Sequence, residues 1–392
     1  MKQDAGYVAF IPAALPPEPP VSLDAAGVAA LSAADLAIGR LDGVAQTLPN
    51  PDLFVAMYVR REAVLSSQIE GTQSTLDDVL AFELDAKTRE LPKDVEEIVN
   101  YVKAMNYGID RLAQLPLSLR LIREIHAELM KNVRGQHKDP GEFRRSQNWI
   151  GQGPRSPIER ATFVPPPVQE MTASLHDFEN FLHAEQSLPV LIHCGIAHSQ
   201  FETIHPFLDG NGRVGRLLIS FLLVHRGVMH RPLLYLSHFF KANRDEYYDR
   251  LMSVRQHGDW EGWLTFFLRG VAETSADAAA TAKKILSLRE SHRVQIQETM
   301  SPNGLRVLDL LFKRPMVNIA LIQDRLKLSF VTAAKLTDGL VELGIVEEIT
   351  GARRNRVYRY SPYLALFADE QPRLEPSELQ DTASGQQRLP IG

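Results

Sequence analysis

The 392-residue chain is 44% hydrophobic and 23% charged, the balance of a soluble globular protein long enough for two or three domains. Its net charge of −5 excludes a globally basic nucleic-acid or membrane binder, so any such role must come from a local patch. A single cysteine, Cys194, excludes an internal disulfide framework and reads as a small buried apolar residue. No apolar run reaches membrane-spanning length and MKQDAGYVAF lacks a signal-peptide core, so no membrane partner and a reducing, cytoplasmic setting are expected.

In chain order, IPAALPPEPP near the start predicts an extended, proline-stiffened segment that wraps a surface. Helical pattern begins near Leu23. Leu53, Met57, Val64 and Leu65 recur at helical spacing through LFVAMYVRREAVLSSQIEG, with Gly71 as the stop. Further helices are predicted at Leu76–Leu84, Lys93–Leu115 and Leu117–Asn132. Two β-prone pieces, Asn148–Ile150 and Ala161–Val164, flank a Gly/Pro-rich connection and predict a hairpin with an exposed edge. Helices then resume at Val168–His183, Pro189–Ile204 and Val214–Gly227, and at Asp245–Arg255, Trp260–Thr274 and Ala276–Gln297. The chain therefore reads as mainly α up to residue 298.

From Ser301 the pattern changes. LRVLDLLFK, then IALIQDRL capped by Asn318, then Ser329–Leu343 read as three helices. VEEI and RVYRY, joined by TGARRN, read as two strands. Three helices and a terminal hairpin are the layout of a winged helix-turn-helix over 299–367. Between Met300 and Tyr360 there are ten basic side chains against six acidic ones, and Arg353, Arg354, Arg356 and Arg359 concentrate the charge at the wing. Residues 368–392 are polar and proline-bearing and read as a disordered tail.

Most of the chemistry is concentrated in HPFLDGNGRVGR, residues 205–216. The stretch lies between two buried helical stripes, with Gly210-Asn211-Gly212 opening the second helix. Successive N–H groups at a helix N-terminus form an anion nest, and glycines let a phosphate approach the backbone closely. Arg213 and Arg216, three apart, can face the same anion. Asp209 is a hard oxygen ligand suited to Mg²⁺ alongside phosphate oxygens, and His205 is a candidate general base. Phe207 is expected to point inward and anchor the loop. A metal site from His193, His198 and His205 is disfavoured, because residues five apart do not share a helix face.

HPFLDGNGRVGR resembles the signature H-x-F-x-[D/E]-G-N-G-R-x-x-R of the Fic (filamentation induced by cAMP) family at every defined position. Upstream, SSQIEG is similar to that family's inhibitory helix pattern [S/T]-x-x-x-E-[G/N], as Ser66, Glu70 and Gly71. GEFRRSQNWIG and FVPPP look like its flap hairpin, and the C-terminal layout resembles the winged helix of many bacterial members. The resemblance implies a Fic-type helical bundle, with an N-terminal part over 1–110 and a catalytic core over 111–298. It also implies a protein adenylyltransferase that moves AMP from ATP to a Ser, Thr or Tyr hydroxyl of a protein target, or of itself.

In that picture His205 takes the hydroxyl proton and Asp209 holds Mg²⁺. The backbone of Gly210, Asn211, Gly212, Arg213, Val214 and Gly215 and the Arg213 side chain steady the phosphates. Arg216 holds the γ-phosphate, and Glu70 competes for Arg216 as an autoinhibitor. The adenine falls near Asn243, Tyr247 and Tyr248. A homodimer is expected by analogy. Two other functions remain open: removal of AMP from a modified protein through Glu70, and transcription regulation by DNA binding through the winged helix, a module that serves protein docking as well.

Overall fold

The computed structural model describes residues 1–3, 6–47, 51–84, 92, 94–133, 138–151, 156–184, 188–351 and 353–367, without the side chains of Asp52 and Leu53. Leu53 of the predicted stripe, the tip of the predicted hairpin and the 368–392 tail lie outside these. The described residues are mainly helical, with one small antiparallel sheet.

Helix α1 (Ala25–Gln46) starts at Asp24, whose carboxylate accepts from the Gly27 N–H at 2.7 Å. It packs along α11 (Trp260–Thr299), which Asp259 caps through the Gly262 N–H. The sequence pattern divides α11 into Trp260–Thr274 and Ala276–Gln297; the structure has one helix, about 60 Å long. The division falls at SADAAATA, where Ala gives no contrast between faces yet is the strongest helix former.

α2 (Pro51–Ile69), α3 (Leu76–Leu84), α4 (Val95–Leu112) and α5 (Leu119–Leu129) build one side of the core, with Met57, Val64 and Leu65 of α2 buried. α6 (Val168–His183), α7 (Val190–Ile204), α8 (Asn211–His225), a short α9 (Ser237–Ala242) with no predicted counterpart, and α10 (Arg244–His257) complete it. α7 and α8 pack together at the centre and are buried almost all round. Cys194 sits in this core at 1% exposure. α4 runs through residue 110 and α11 through residue 298.

The predicted hairpin is reduced, among the described residues, to a single bridge between Ile150 and Phe163. The prolines after Val164 remove the donors that would extend it. The N-terminal segment lies against it: the Phe10 N–H donates to Val164 O at 2.9 Å, and Gln200 on α7 donates to Ala13 O.

At the C-terminal end, α12 (Asn303–Lys313), α13 (Ile319–Leu326) and α14 (Phe330–Glu342) are followed by β2 (Glu347–Glu348) and β3 (Tyr358–Arg359). A third strand, β1 (Met316–Val317), precedes α13 and pairs with β3, giving the order β1-β3-β2. At two residues, β1 is too short for an alternating pattern to register in the sequence. α12 packs on α2, and Arg359 reaches Asp77 of α3 at 3.0 Å, so this wing arginine is already engaged with the N-terminal helices. No helix among the described residues is long and apolar enough to cross a membrane.

Candidate functional site

The loop between α7 and α8 is built around two left-handed residues. His205 ends α7 at φ 51°, ψ 60°, with its N–H donating to Phe201 O, and Gly210 opens α8 at φ 78°. Between them, the Asn211 side chain accepts from the Phe207 N–H and donates to Phe207 O, both at 2.8 Å, closing the loop on itself. Phe207 is fully buried and stacks on His126 with centroids 3.7 Å apart. His126 Nδ1 accepts from the Gly141 N–H, so its Nε2–H donates to Asp209 O at 3.0 Å. Burial pushes the His126 pKa down to about 4, which keeps this neutral tautomer in place.

Segment 144–148 grips the same loop from the other side. Arg144, 2% exposed, donates Nε–H to His205 O at 3.0 Å, and its backbone N–H to Pro206 O. Asn148 donates to Phe207 O at 2.7 Å. The ring of His205 sets Nδ1 3.4 Å from Glu202 O, an orientation that leaves Nε2 as the acceptor. Burial, then the charges of Arg255 and Arg144, push the His205 pKa down to about 4, so the ring is neutral and able to take a proton at neutral pH.

A cavity of about 290 Å³ opens beside His205, lined by Asp209–Arg213, Glu70 and Lys138 among others. The first-turn N–H groups of Asn211, Gly212 and Arg213 have no helical carbonyl to bond to. The Gly210 N–H is taken by Asp209 Oδ1 at 2.7 Å and the Val214 N–H by Gly210 O, so the nest is narrower than the whole motif. Arg213 is aimed by Glu97 of α4, 3.1 Å from Nη1. Lys138 Nζ lies 3.0 Å from Asp209 Oδ2; its charge and Arg213's hold the Asp209 carboxyl below its usual range against desolvation.

Glu70 covers the nest. Arg216 Nη2 donates to Glu70 Oε1 at 2.8 Å and to Ser66 O at 2.9 Å, and Nε donates to Ser66 Oγ at 2.8 Å. A methyl group placed on Gly212 would stand 2.2 Å from Glu70 Oε1, so the carboxylate rests on the α-carbon of the nest. Desolvation acts to raise the Glu70 carboxyl, but the charge and hydrogen bond of Arg216 prevail and hold it low. Gly71 turns the chain away at φ 96°, a conformation that favours glycine.

The residues assigned to the adenine stand on the α10 side of Glu70 and Arg216, whose charges act on both Tyr247 and Tyr248. Tyr247 is 1% exposed; it stacks on Phe240, and its hydroxyl bonds His198 Nε2 at 2.8 Å, so it is a core residue. Asn243 joins α9 to α10 and donates to Phe239 O. Tyr248 is half-buried under Arg244, 5.1 Å from its ring. None of these three lines the cavity beside His205. Val214 is fully buried, and Gly215 makes room for the Glu202 carboxyl, which would lie 2.2 Å from a methyl there. His193 and His198 bond Phe181 O and Gly215 O, and no group of three or more His, Cys, Asp or Glu among the described residues can hold a metal. The sequence reading missed His126, Lys138, Glu97 and Glu202, and named Arg144 and Asn148 only as part of a flap.

Residues 28–110 match the Fic/DOC family N-terminal model and residues 116–223 the Fic/DOC family model. Over 201 residues the chain is 31% identical to the protein adenylyltransferase Fic of Drosophila grimshawi, covering 50% of this chain and 36% of that protein. To its namesake in Aedes aegypti it is 33% identical, covering 49% and 34%. The matched part is thus about a third of the length of these relatives. A probable protein adenylyltransferase of Aquifex aeolicus (strain VF5) is 27% identical over 293 residues, covering 72% of this chain and 77% of that one. A crystal structure of a Fic family protein from Desulfovibrio desulfuricans G20 superposes with a TM-score of 0.56 at 20% identity, covering 88% of this chain and 98% of that one, which shows a shared fold. The α7–α8 loop, the nest and the residue pair that covers it all fall within the two matched regions, and those regions belong to the Fic/DOC family.

Proposed function

We propose that this protein transfers AMP from ATP to a Ser, Thr or Tyr hydroxyl of a protein, and that Glu70 restrains the reaction. The observation that carries the reading is the opening of a neutral His205 onto the same cavity as the helix N-terminal nest at Asn211–Arg213. His205 Nε2 takes the proton of the attacking hydroxyl. The hydroxyl oxygen forms a bond to the α-phosphorus, the α–β P–O bond breaks, and pyrophosphate leaves with the electron pair. The nest and Arg213 hold the phosphates in line, and positioning and charge stabilisation supply most of the rate. Arg216, once freed of Glu70, holds the γ-phosphate.

Asp209 offers one carboxylate in a cavity with no all-protein metal cage among the described residues. That donor set suits Mg²⁺, whose remaining ligands come from phosphate and water. Asp209 would hold the ion, which neutralises phosphate charge when bound. The target backbone would align along the Ile150/Phe163 bridge, a mode that reads main chain and tolerates varied sequence.

The test is incorporation of labelled AMP into the protein itself and into lysate proteins. Labelling by Glu70→Gly that disappears in Glu70→Gly/His205→Ala supports the reading; labelling that persists in the double mutant overturns it. A second reading, hydrolysis of AMP–protein, draws on the Glu70 carboxylate beside the same cavity, and release of AMP from pre-modified protein tests it. For the C-terminal unit, whose three helices and sheet suit a winged helix, a gel shift with and without this unit separates DNA binding from protein docking.

A further inference from the structure

The wall of the catalytic cavity is negative for a site that takes an anion. Glu70, Asp94, Glu97 and Asp209 face Lys138 and Arg213. Arg213 is already matched to Glu97 at 3.1 Å and lies 3.6 Å from Asp209 Oδ1, and its side chain is only 6% exposed. Lys138 is different. Its side chain is 50% exposed, its ammonium is a compact charge on a flexible four-carbon stem, and its partner is Asp209, the one carboxylate suited to a divalent cation. The stem starts from a fixed point. Asp139 at φ 50° and Gly141 at φ 83° shape a tight turn, and the Gly141 N–H is tied to His126. The backbone after Lys138 is held, while half of its side chain is open to solvent where it lines the cavity.

We propose that Lys138 is a nucleotide-positioning residue that works in two places. Without a divalent cation its ammonium neutralises Asp209, standing 3.0 Å from Oδ2 where the ion would sit. When Asp209 takes the ion, Lys138 is released to share the charge of a triphosphate bound in the cavity that it lines. Lys138 thereby admits nucleotide to a cavity whose own wall would repel it, and competes with the cation for Asp209. An exposed ion pair contributes little to stability, so a purely structural role predicts no effect on binding at all. The proposal rests on the nucleotide reading above.

The experiment is calorimetric binding of α,β-methylene ATP, which cannot lose pyrophosphate, to Glu70→Gly and to Glu70→Gly/Lys138→Ala. In EDTA the lysine variant should bind about tenfold more weakly. With saturating Mg²⁺ the difference should shrink to about two- to threefold, and the Mg²⁺ concentration giving half-maximal enhancement should fall. Lys138→Arg should retain most of the metal-free affinity, and the melting temperature should be the same in all three. Equal affinity of Glu70→Gly with and without Lys138 in EDTA overturns the proposal and leaves the nucleotide reading intact. Failure of Glu70→Gly itself to bind the analogue under either condition overturns both.

Discussion

Arg216 and Glu70, 146 positions apart in sequence, meet at 2.8 Å over the first turn of α8. The arginine is nearly fully buried, and Ser66 accepts from its Nε and Nη2, so its direction is fixed by α2. A triphosphate that needs Arg216 must therefore compete with a carboxylate already in place. Glu70→Gly should raise AMP labelling strongly, a tenfold rise corresponding to about 1.4 kcal/mol of lost restraint. Ser66→Ala should raise it less, because the carboxylate remains. Labelled-AMP incorporation at fixed ATP ranks the three proteins, and equal rates would remove the restraint from this pair.

His205→Ala in the Glu70→Gly background should lower transfer by roughly 10²–10⁴-fold, the usual contribution of a general base. Binding of α,β-methylene ATP should change little, since the nest and Arg216 are intact. A comparable loss of affinity would mean that His205 binds rather than reacts.

The pH profile follows from the environment of the same ring. His205 is held to about 4, so the base stays neutral from pH 8 down to about pH 5, and the acid limb of transfer by Glu70→Gly should lie near pH 4 to 5. Global stability moves in a different window. His126, His193 and His205, all pushed to about 4 by burial, are neutral in the fold and ordinary when unfolded. Their contribution is complete above about pH 6.5 and is lost as pH falls from there toward 4. Melting temperature should therefore drop between pH 6.5 and 4 before transfer is limited by protonation of the base, as scanning calorimetry alongside initial rates would show.

Glu202 works in the opposite sense. Burial raises its carboxyl to about 7, Oε1 has no partner among the described residues, and the fold prefers the protonated form. Its contribution declines as pH rises from the unfolded value near 4.5 through 7. Glu202→Gln should melt a few degrees above the wild type at pH 8 and near it at pH 5. A variant less stable at both values would show that the charged form is the one the fold needs.

Tyr247→Phe separates the nucleotide from the core. Its hydroxyl accepts no role at the cavity and bonds His198 Nε2, so the mutation should cost about 1 kcal/mol of stability while leaving the Kd for α,β-methylene ATP unchanged. A tenfold weaker Kd with unchanged melting would return Tyr247 to the adenine.

The contrast between Arg216 and Lys138 shows what could be read in advance. HPFLDGNGRVGR holds its chemistry within one turn of chain, and SSQIEG has a spacing of its own, so His205, Asp209, the nest and Glu70 were visible as patterns. Lys138 and Glu97 reach the site through tertiary contacts across 71 and 116 positions, and a lone lysine or glutamate carries no local signature. A tyrosine on a helix near a site reads alike in sequence whether it faces a ligand or packs as Tyr247 does on Phe240. In α11, alanine conceals which face is inward and so concealed continuity. The third strand fell below the length at which alternation has meaning.

The left-handed backbone of His205 sets usefulness against durability. At φ 51° the residue sits in the left-handed region, which glycine adopts at least cost. The position thus holds a residue that the fold alone would not choose, kept there by Arg144, Asn148 and the helix on each side. His205→Gly should leave a protein that is catalytically silent yet hardier than His205→Ala, by roughly 1 kcal/mol. The histidine here thus trades a modest backbone cost for a ring at the cavity beside the nest.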